Sequence, residues 1–514
     1  MKPDAALATP SHPKPGDRTS SLPGPISLAP ESSRPTAGLP PPIAMLGVPF
    51  DQVTTADTLE VIRGIIASGL PHYAATANVD FVVQARGDLE LRRILTEADL
   101  VLCDGMPLVW ASGFLGRKLP ERVTGSDLVP LLLAEAAREG WRVFFLGGTE
   151  ESIAGAAQNV QAQHPALKLV GAYSPPFRSL LEMDHEAIVQ RVKAAKPDLL
   201  FVAFGCPKQE KWINMHFRRA GVPLSIGVGA TIDFLAGTVR RAPVWMQRSG
   251  LEWVFRWLQE PRRLFRRYVT GLWVFGREIL RQGWALGGRR TSPGEAARVQ
   301  HQVSEDGFCE VVEPGPRLEV GAIQENAATW AKLASSVRHL LLDINSVQVV
   351  DSTGIGLLVR LQKQMRAAGR QLVLVGTSQP LRRALDLMGF TELLTWSPDQ
   401  AAAQRLVQER LREEQVVAAV CFPGHCEPLV WQGEIVAANV EEVWLRTSAT
   451  LAEAQGELTI QLSGVRFIDS TGVSLMVRVR KAAALRGVTV RFVDAPAGVR
   501  NVLRVLRMES TLLA

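Results

Sequence analysis

Between about Ile43 and Ala242, short β-prone apolar runs alternate with longer segments whose apolar residues recur at helical spacing. "WRVFFLGGTEES", "PDLLFVAFGCPKQE" and "LSIGVGATIDF" each run into glycine, and the first two lead on into a helix start. That form predicts βαβ units and a mainly parallel, Rossmann-like α/β sheet, whose ligands gather beyond the carboxyl ends of the strands. In "ADLVLCDGMPLVW" Asp104 stands at such an end, as the cap of the next helix or as a group that does chemistry.

The pattern changes between Arg240 and Arg290. Arg240, Arg241, Arg248, Arg256, Arg262, Arg263, Arg266 and Arg267 are interleaved with Trp245, Trp253, Trp257, Phe265, Tyr268 and Trp273. On a helix Trp253 and Trp257 share one face and Arg256, Arg263 and Arg267 another, giving a basic amphipathic appendage suited to an anionic membrane surface. No nucleic-acid partner is expected, because no recognition fold accompanies the basic stretch. Beyond a polar linker, "LLLDINSVQVVDSTGIGLLVRLQKQMRAAG" is echoed by "LTIQLSGVRFIDSTGVSLMVRVRKAAALRG", with Arg360 and Arg478 in register. Two copies mean two small α/β domains, joined by a helix ending near "LREEQ".

Length and composition refine this division. A chain of 514 residues needs more than one core. The expected units are a disordered leader over 1–43, a core over 44–242, the appendage over 243–288, and repeat domains over 305–405 and 415–514. A net charge of +6 matters because the cations are concentrated. Five cysteines without a CxxC pair argue for a reducing compartment. Cys421, His425 and Cys426 lack the second half of a metal site, and no metal or cofactor is expected. The most apolar long run, "YVTGLWVFGREILRQGWALGG", is interrupted by Arg277, Glu278 and Arg281, so no membrane span is expected.

Seven blocks in order, "TANVDFVVQAR", "DLVLCDGMPLV", "RVTGSDL", "VFFLGG", "FVAFGCPKQE", "GVGATIDFLAG" and "RAPVWMQRSGLEWVFRWLQEPRRLFRRY", resemble the WecB/TagA/CpsF glycosyltransferases, glycosyltransferase family twenty-six. The resemblance implies inverting transfer of an N-acetylhexosamine, commonly N-acetylmannosamine, from a UDP-sugar donor to N-acetylglucosaminyl-diphospho-undecaprenol. It also implies a peripheral place on the cytoplasmic face of the cell membrane. It assigns the catalytic base to Asp104 and sugar or diphosphate contacts to Thr76 and Asn78. Such a transfer needs a base for the acceptor hydroxyl and positive charge for the departing diphosphate. No Asp-x-Asp triplet, a frequent cation holder in nucleotide-sugar transferases, occurs in the sequence, so Arg256, Arg263 or Arg267 is expected to receive the leaving group. A chain cut after about Ala242 is then expected to fold without turning over.

Other strand ends supply further candidates. Gly147 and Gly148 can bring backbone N–H groups to a phosphate, or form an ordinary tight turn. Gln209, Glu210 and Asp233 can contact the nucleotide or acceptor sugar, or bond a helix start. The "DSTG" copies resemble STAS domains, whose antagonist branch is phosphorylated on the serine matched here by Ser352 and Ser470. That resemblance implies a kinase or another regulatory protein as partner. The bland alternative is helix capping, and the second copy departs by placing Ser474 where the first has Gly356. The rival to an active transferase is a catalytically silent STAS scaffold.

Overall fold

The computed structural model describes residues 36, 38–248, 252–259, 261–287, 298–304, 307–416, 429–437, 439–454 and 456–513. The side chains of 244, 248, 253, 256, 257, 259, 261–269, 287 and 410–416 fall outside this description. So do the leader up to 35 and the Cys421, His425, Cys426 group.

The chain enters through a hairpin of β1 (Ile43–Met45) and β2 (Val48–Phe50), turned at Leu46 and Gly47, both with positive φ. A six-stranded parallel sheet follows from β3 (His72–Ala77), β4 (Leu100–Cys103), β5 (Arg142–Gly147), β6 (Lys168–Tyr173), β7 (Leu199–Ala203) and β8 (Leu224–Gly227). Its order is β4-β3-β8-β7-β5-β6. The central strands are continuous apolar runs because helices cover both faces. Val101, Phe144 and Val202 pack on one side with Trp212 and Ile213, and Leu102, Phe145 and Phe201 on the other with Leu128 and Leu132. β3 has its chain successor β4 on one side and the last strand β8 on the other, a reversal of strand order of the kind beside which α/β sheets bind ligands at their carboxyl ends.

The segment expected as one membrane-associating appendage divides in two. Its helices are Val244–Arg248, Glu252–Gln259 and Pro261–Gly287. Phe275 and Ile279 join the core cluster of the sheet domain, and Leu286 packs against the core of the first repeat domain. Gln282, fully buried, donates to Ala44 O and accepts from Leu46 N–H, both at 2.9 Å. The second half of the long helix is therefore an interdomain strut. A cut after Ala242 would strip Phe275 and Ile279 from the core, so such a fragment would lose packing as well as the arginines. Among the described residues no helix is long and apolar enough to cross a membrane.

The first repeat domain begins at β9 (Gln300–Val303), five residues before the expected boundary, antiparallel to β10 (Cys309–Glu313). β11 (Arg317–Leu318) pairs with β13 (Val349–Val350), while β12 (His339–Asp343), β14 (Leu372–Val375) and β15 (Thr395–Ser397) complete a sheet ordered β15-β14-β12-β10-β9. The helix Gln400–Val416 closes it through Ala403 and Val407. The second repeat is a parallel sheet of β16 (Leu429–Ile435), β17 (Glu457–Ile468) and β18 (Thr489–Val493). Residues 38–43, expected within the leader, are engaged: Arg360 donates to Leu39 O, and the Gln52 amide to Pro41 O.

Candidate active site

Thr76, Asn78 and Asp104 come together because β3 and β4 are adjacent and parallel, with Ala77 opposite Cys103. The Asp104 N–H donates to Ala77 O at 2.9 Å, carrying the pairing one step past the strand. The N-cap of the next helix, Met106–Phe114, is Gly105 at φ 153°, so Asp104 stands outside that helix, half-buried at the carboxyl end of β4. Asn78 caps the helix Val79–Gly87: its Oδ1 accepts from the N–H groups of Asp80 and Phe81. Thr76 is buried and donates to Gly227 O at 3.2 Å. A Cβ at Gly125 would lie 3.3 Å from Thr76 Oγ1 and 3.8 Å from Thr231 Oγ1, so three elements converge on one point. Burial, and next the charge of Asp104, push the Cys103 thiol up, which keeps it neutral beside the site.

Asp233 lies half-buried on Thr231–Ala236, the helix that follows β8. Gln209 and Glu210 turn inward. The Gln209 Oε1 accepts from Gly205 N–H at 3.1 Å and Gly229 N–H at 3.2 Å, tying together the loops after β7 and β8, while its Nε2 donates to Glu210 Oε1 at 2.7 Å. A Cβ on Gly227 would collide with both side chains, at 2.6 and 2.7 Å. Glu210 Oε2 is buried without a hydrogen-bond partner, and burial pushes the carboxyl up to about 7. Gly147 ends β5 and Gly148 follows it, three strand positions from β3, roughly 14 Å across the sheet. The Gly148 N–H is occupied by Ala203 O, which a Cβ on Gly147 would meet at 2.8 Å. The side chains of Arg256, Arg263 and Arg267 lie outside the described residues.

Sequence reasoning passed over Arg122 and Thr231. Arg122 pairs with Asp127 at 3.1 Å and Glu252 at 3.4 Å, and Arg241 with the same two carboxylates at 2.6 and 3.4 Å. This four-residue network fastens the helix Glu252–Gln259 to the helix Gly125–Glu139. The available signal was an arginine directly before "VTGSDL", the run that caps the latter helix through Thr124.

In both repeat domains the aspartate of "DSTG" does the capping. Asp351 accepts from Thr353 and Gly354 N–H, and Asp469 from Gly472 N–H. Ser352 and Ser470 then sit at the first helical position, both buried against the sheet domain and its appendage. The Ser352 hydroxyl accepts from Gln282 Nε2 at 3.2 Å, and the Ser470 hydroxyl donates to Glu90.

Residues 43–289 match the Glycosyl transferase WecG/TagA/CpsF family, residues 265–403 the STAS domain, and residues 418–514 the Mlab, STAS domain. An N-acetylglucosaminyldiphosphoundecaprenol N-acetyl-beta-D-mannosaminyltransferase of Staphylococcus aureus (strain MW2) is 30% identical over 226 residues, 44% of this chain and 87% of that protein. A protein of the same name from Bacillus spizizenii is 32% identical over 205 residues, 39% of this chain and 78% of its own length. The solved structure of the anti-sigma factor antagonist SpoIIAA in its unphosphorylated form aligns with 24% of this chain and 99% of its own, at 14% identity and a TM-score of 0.17. With most of a relative's length matched at 30% identity, the chain belongs to the WecG/TagA/CpsF glycosyl transferase family, and it carries two STAS domains behind its transferase core.

Proposed function

We propose that this chain is an inverting transferase that moves N-acetylmannosamine from a UDP-sugar to N-acetylglucosaminyl-diphospho-undecaprenol at the inner face of the cell membrane. The observation that carries this reading is the convergence of Asp104, Thr76 and Asn78 at adjoining strand ends, in a chain matching 87% of a relative named as an N-acetylglucosaminyldiphosphoundecaprenol N-acetyl-beta-D-mannosaminyltransferase. Asp104 takes the proton of the acceptor hydroxyl as its oxygen attacks the anomeric carbon, and the bond to the diphosphate breaks with its electron pair leaving on UDP. Thr76, Asn78 and Asp233 position the two sugars. Arg256, Arg263 and Arg267 are assigned the leaving diphosphate, with Arg122 and Arg241 fixing the helix that carries Arg256. Gln209 and Glu210 act from behind, by holding the two loops that shape the pocket. The STAS domains regulate or recruit the enzyme through protein contact.

The test is transfer of labelled sugar from a panel of UDP-sugars to a short-chain polyprenyl acceptor by the full chain. Asp104→Asn should lower turnover by about 10²- to 10⁴-fold while leaving folding unchanged. Transfer undiminished in that variant would remove the base from position 104. No transfer by the unaltered chain from any donor would favour the silent scaffold.

A further inference from the structure

An exposed aromatic patch begins on the helix that directly follows Asp104. Trp110 is 57% and Phe114 52% exposed, one turn apart on Met106–Phe114. Phe114 meets the long helix at Gly283, where a Cβ would collide with its ring at 2.3 Å. Gly283 lies between Leu280, 53% exposed, and Trp284, 82% exposed, and Trp273 continues their stripe two turns back. The patch is thus continuous from the helix after the catalytic strand end to the second half of the appendage. Tryptophans left this exposed are costly in water and suit the layer between lipid headgroups and chains.

Its border is cationic. Glu278, almost fully buried, is shared by Arg86 at 3.2 Å, Arg277 at 2.7 Å and Arg281 at 3.1 Å, so the arginines exceed the acid that holds them. Arg277 and Arg281 remain more than half exposed, and Lys118 adds an exposed cation beside Gly113. An aromatic centre with a positive rim complements an anionic bilayer.

We infer that Trp110, Phe114, Leu280 and Trp284, rimmed by Arg277, Arg281 and Lys118, form the surface that seats this protein on anionic lipid. The contact is made by the strut half of the appendage together with the helix after Asp104. This inference rests on the proposed lipid-linked acceptor, since a patch starting at that helix brings the strand end that carries Asp104 to the headgroup layer.

Co-sedimentation of the full chain with phosphatidylcholine vesicles, with and without phosphatidylglycerol, tests it. The unaltered chain should sediment with the anionic vesicles, less so as salt rises. Trp110→Ser/Trp284→Ser should weaken that binding at least about tenfold, and the single Trp284→Ser measurably. Because both rings are exposed, melting should be unchanged, and unaltered binding by the folded double variant would overturn the inference. So would a change from dimer to monomer with vesicle binding intact, which would make the patch a contact between two copies of this chain. The assay reads binding without turnover, so a chain that binds vesicles but transfers no sugar sinks the proposed function alone.

Discussion

Glu90 accepts both the backbone N–H of Ser470, at 2.9 Å, and the hydroxyl of the same residue. A carboxylate of the transferase core thereby occupies the positive N-terminal end of the helix Ser470–Ala484 in the second STAS domain. Lys211 holds that carboxylate in place, bonding Glu90 at 2.9 Å and Asp88 at 2.7 Å. Arg93 and Arg366 reach Glu434 on the far side, and Arg219 reaches Glu441. The docked arrangement admits a neutral serine and opposes an anion there. Ser470→Glu, which sets a third carboxylate beside Glu90 and Asp469, is expected to release the second STAS domain from the core. Small-angle scattering should then show a larger radius of gyration, and hydrogen exchange should rise over Leu89–Glu97 and Lys208–Ala220. Glu90→Ala, which removes one charge-assisted bond and one to the backbone, should weaken docking by about 2 kcal/mol.

The same contact makes docking pH-dependent. Burial, and next the charge of Glu90, push the Asp469 carboxyl up to about 7, with Glu97 adding to the rise and Gly472 N–H and Arg93 opposing it. Separation removes Glu90 and readmits water, returning Asp469 towards its ordinary value. The docked state therefore binds more protons than the separated one between about pH 4 and about pH 7. Docking is strongest at the acid end and weakens as pH rises through that window. Scattering at pH 5 and pH 8 should show the tighter particle at pH 5. Asp469→Asn keeps the capping oxygen and should abolish the difference.

The docking of the first STAS domain depends on an atom that is missing. A Cβ on Gly356 would stand 1.8 Å from Pro42 O, in the segment leading into β1, and Arg360 one turn on pairs with Asp51 at 3.1 Å. This accounts for the departure between the two repeats: Gly356 lies against the backbone of Pro42, whereas Ser474 occupies the matching place half-buried in the second copy, whose contact with Glu90 is made by Ser470. Gly356→Ala must push the backbone of Pro42 away and should cost about 1–3 kcal/mol in thermal or denaturant unfolding. Ser474→Ala should be near neutral in the same measurement.

Much of this was legible in the sequence. Strands covered on both faces are apolar throughout, so the core sheet could be read from its runs. Thr76, Asn78 and Asp104 could be assembled because each ends or follows a strand. The direction of Gln209 could not, since "GCPKQE" fits a helix start facing ligand or solvent equally well, and the glycine N–H groups it bonds lie on two separate loops. Gln282 was hidden for the same reason. In "REILRQGWALG" it reads as one more polar position, yet its partners Ala44, Leu46 and Ser352 lie 70 to 238 residues away in sequence.

Glu210 closes the set of buried acids, and its cost can be measured. One of its oxygens accepts from Gln209, while the other has no partner in a buried site. The carboxyl, pushed up to about 7 by burial, is protonated in the folded chain at acid pH and titrates near neutrality. An acid raised from its unfolded value of 4.5 gives its full stability below that value and loses it as pH rises through about 7. The loss amounts to at most about 3 kcal/mol at pH 8. Glu210→Gln keeps the shape and the accepting oxygen without the charge. It should melt higher than the parent at pH 8, match it more nearly at pH 5, and show a flatter dependence between them. Equal melting of variant and parent at pH 8 would mean that the Glu210 carboxylate finds a partner once ionised, and would count against a buried neutral acid behind the pocket.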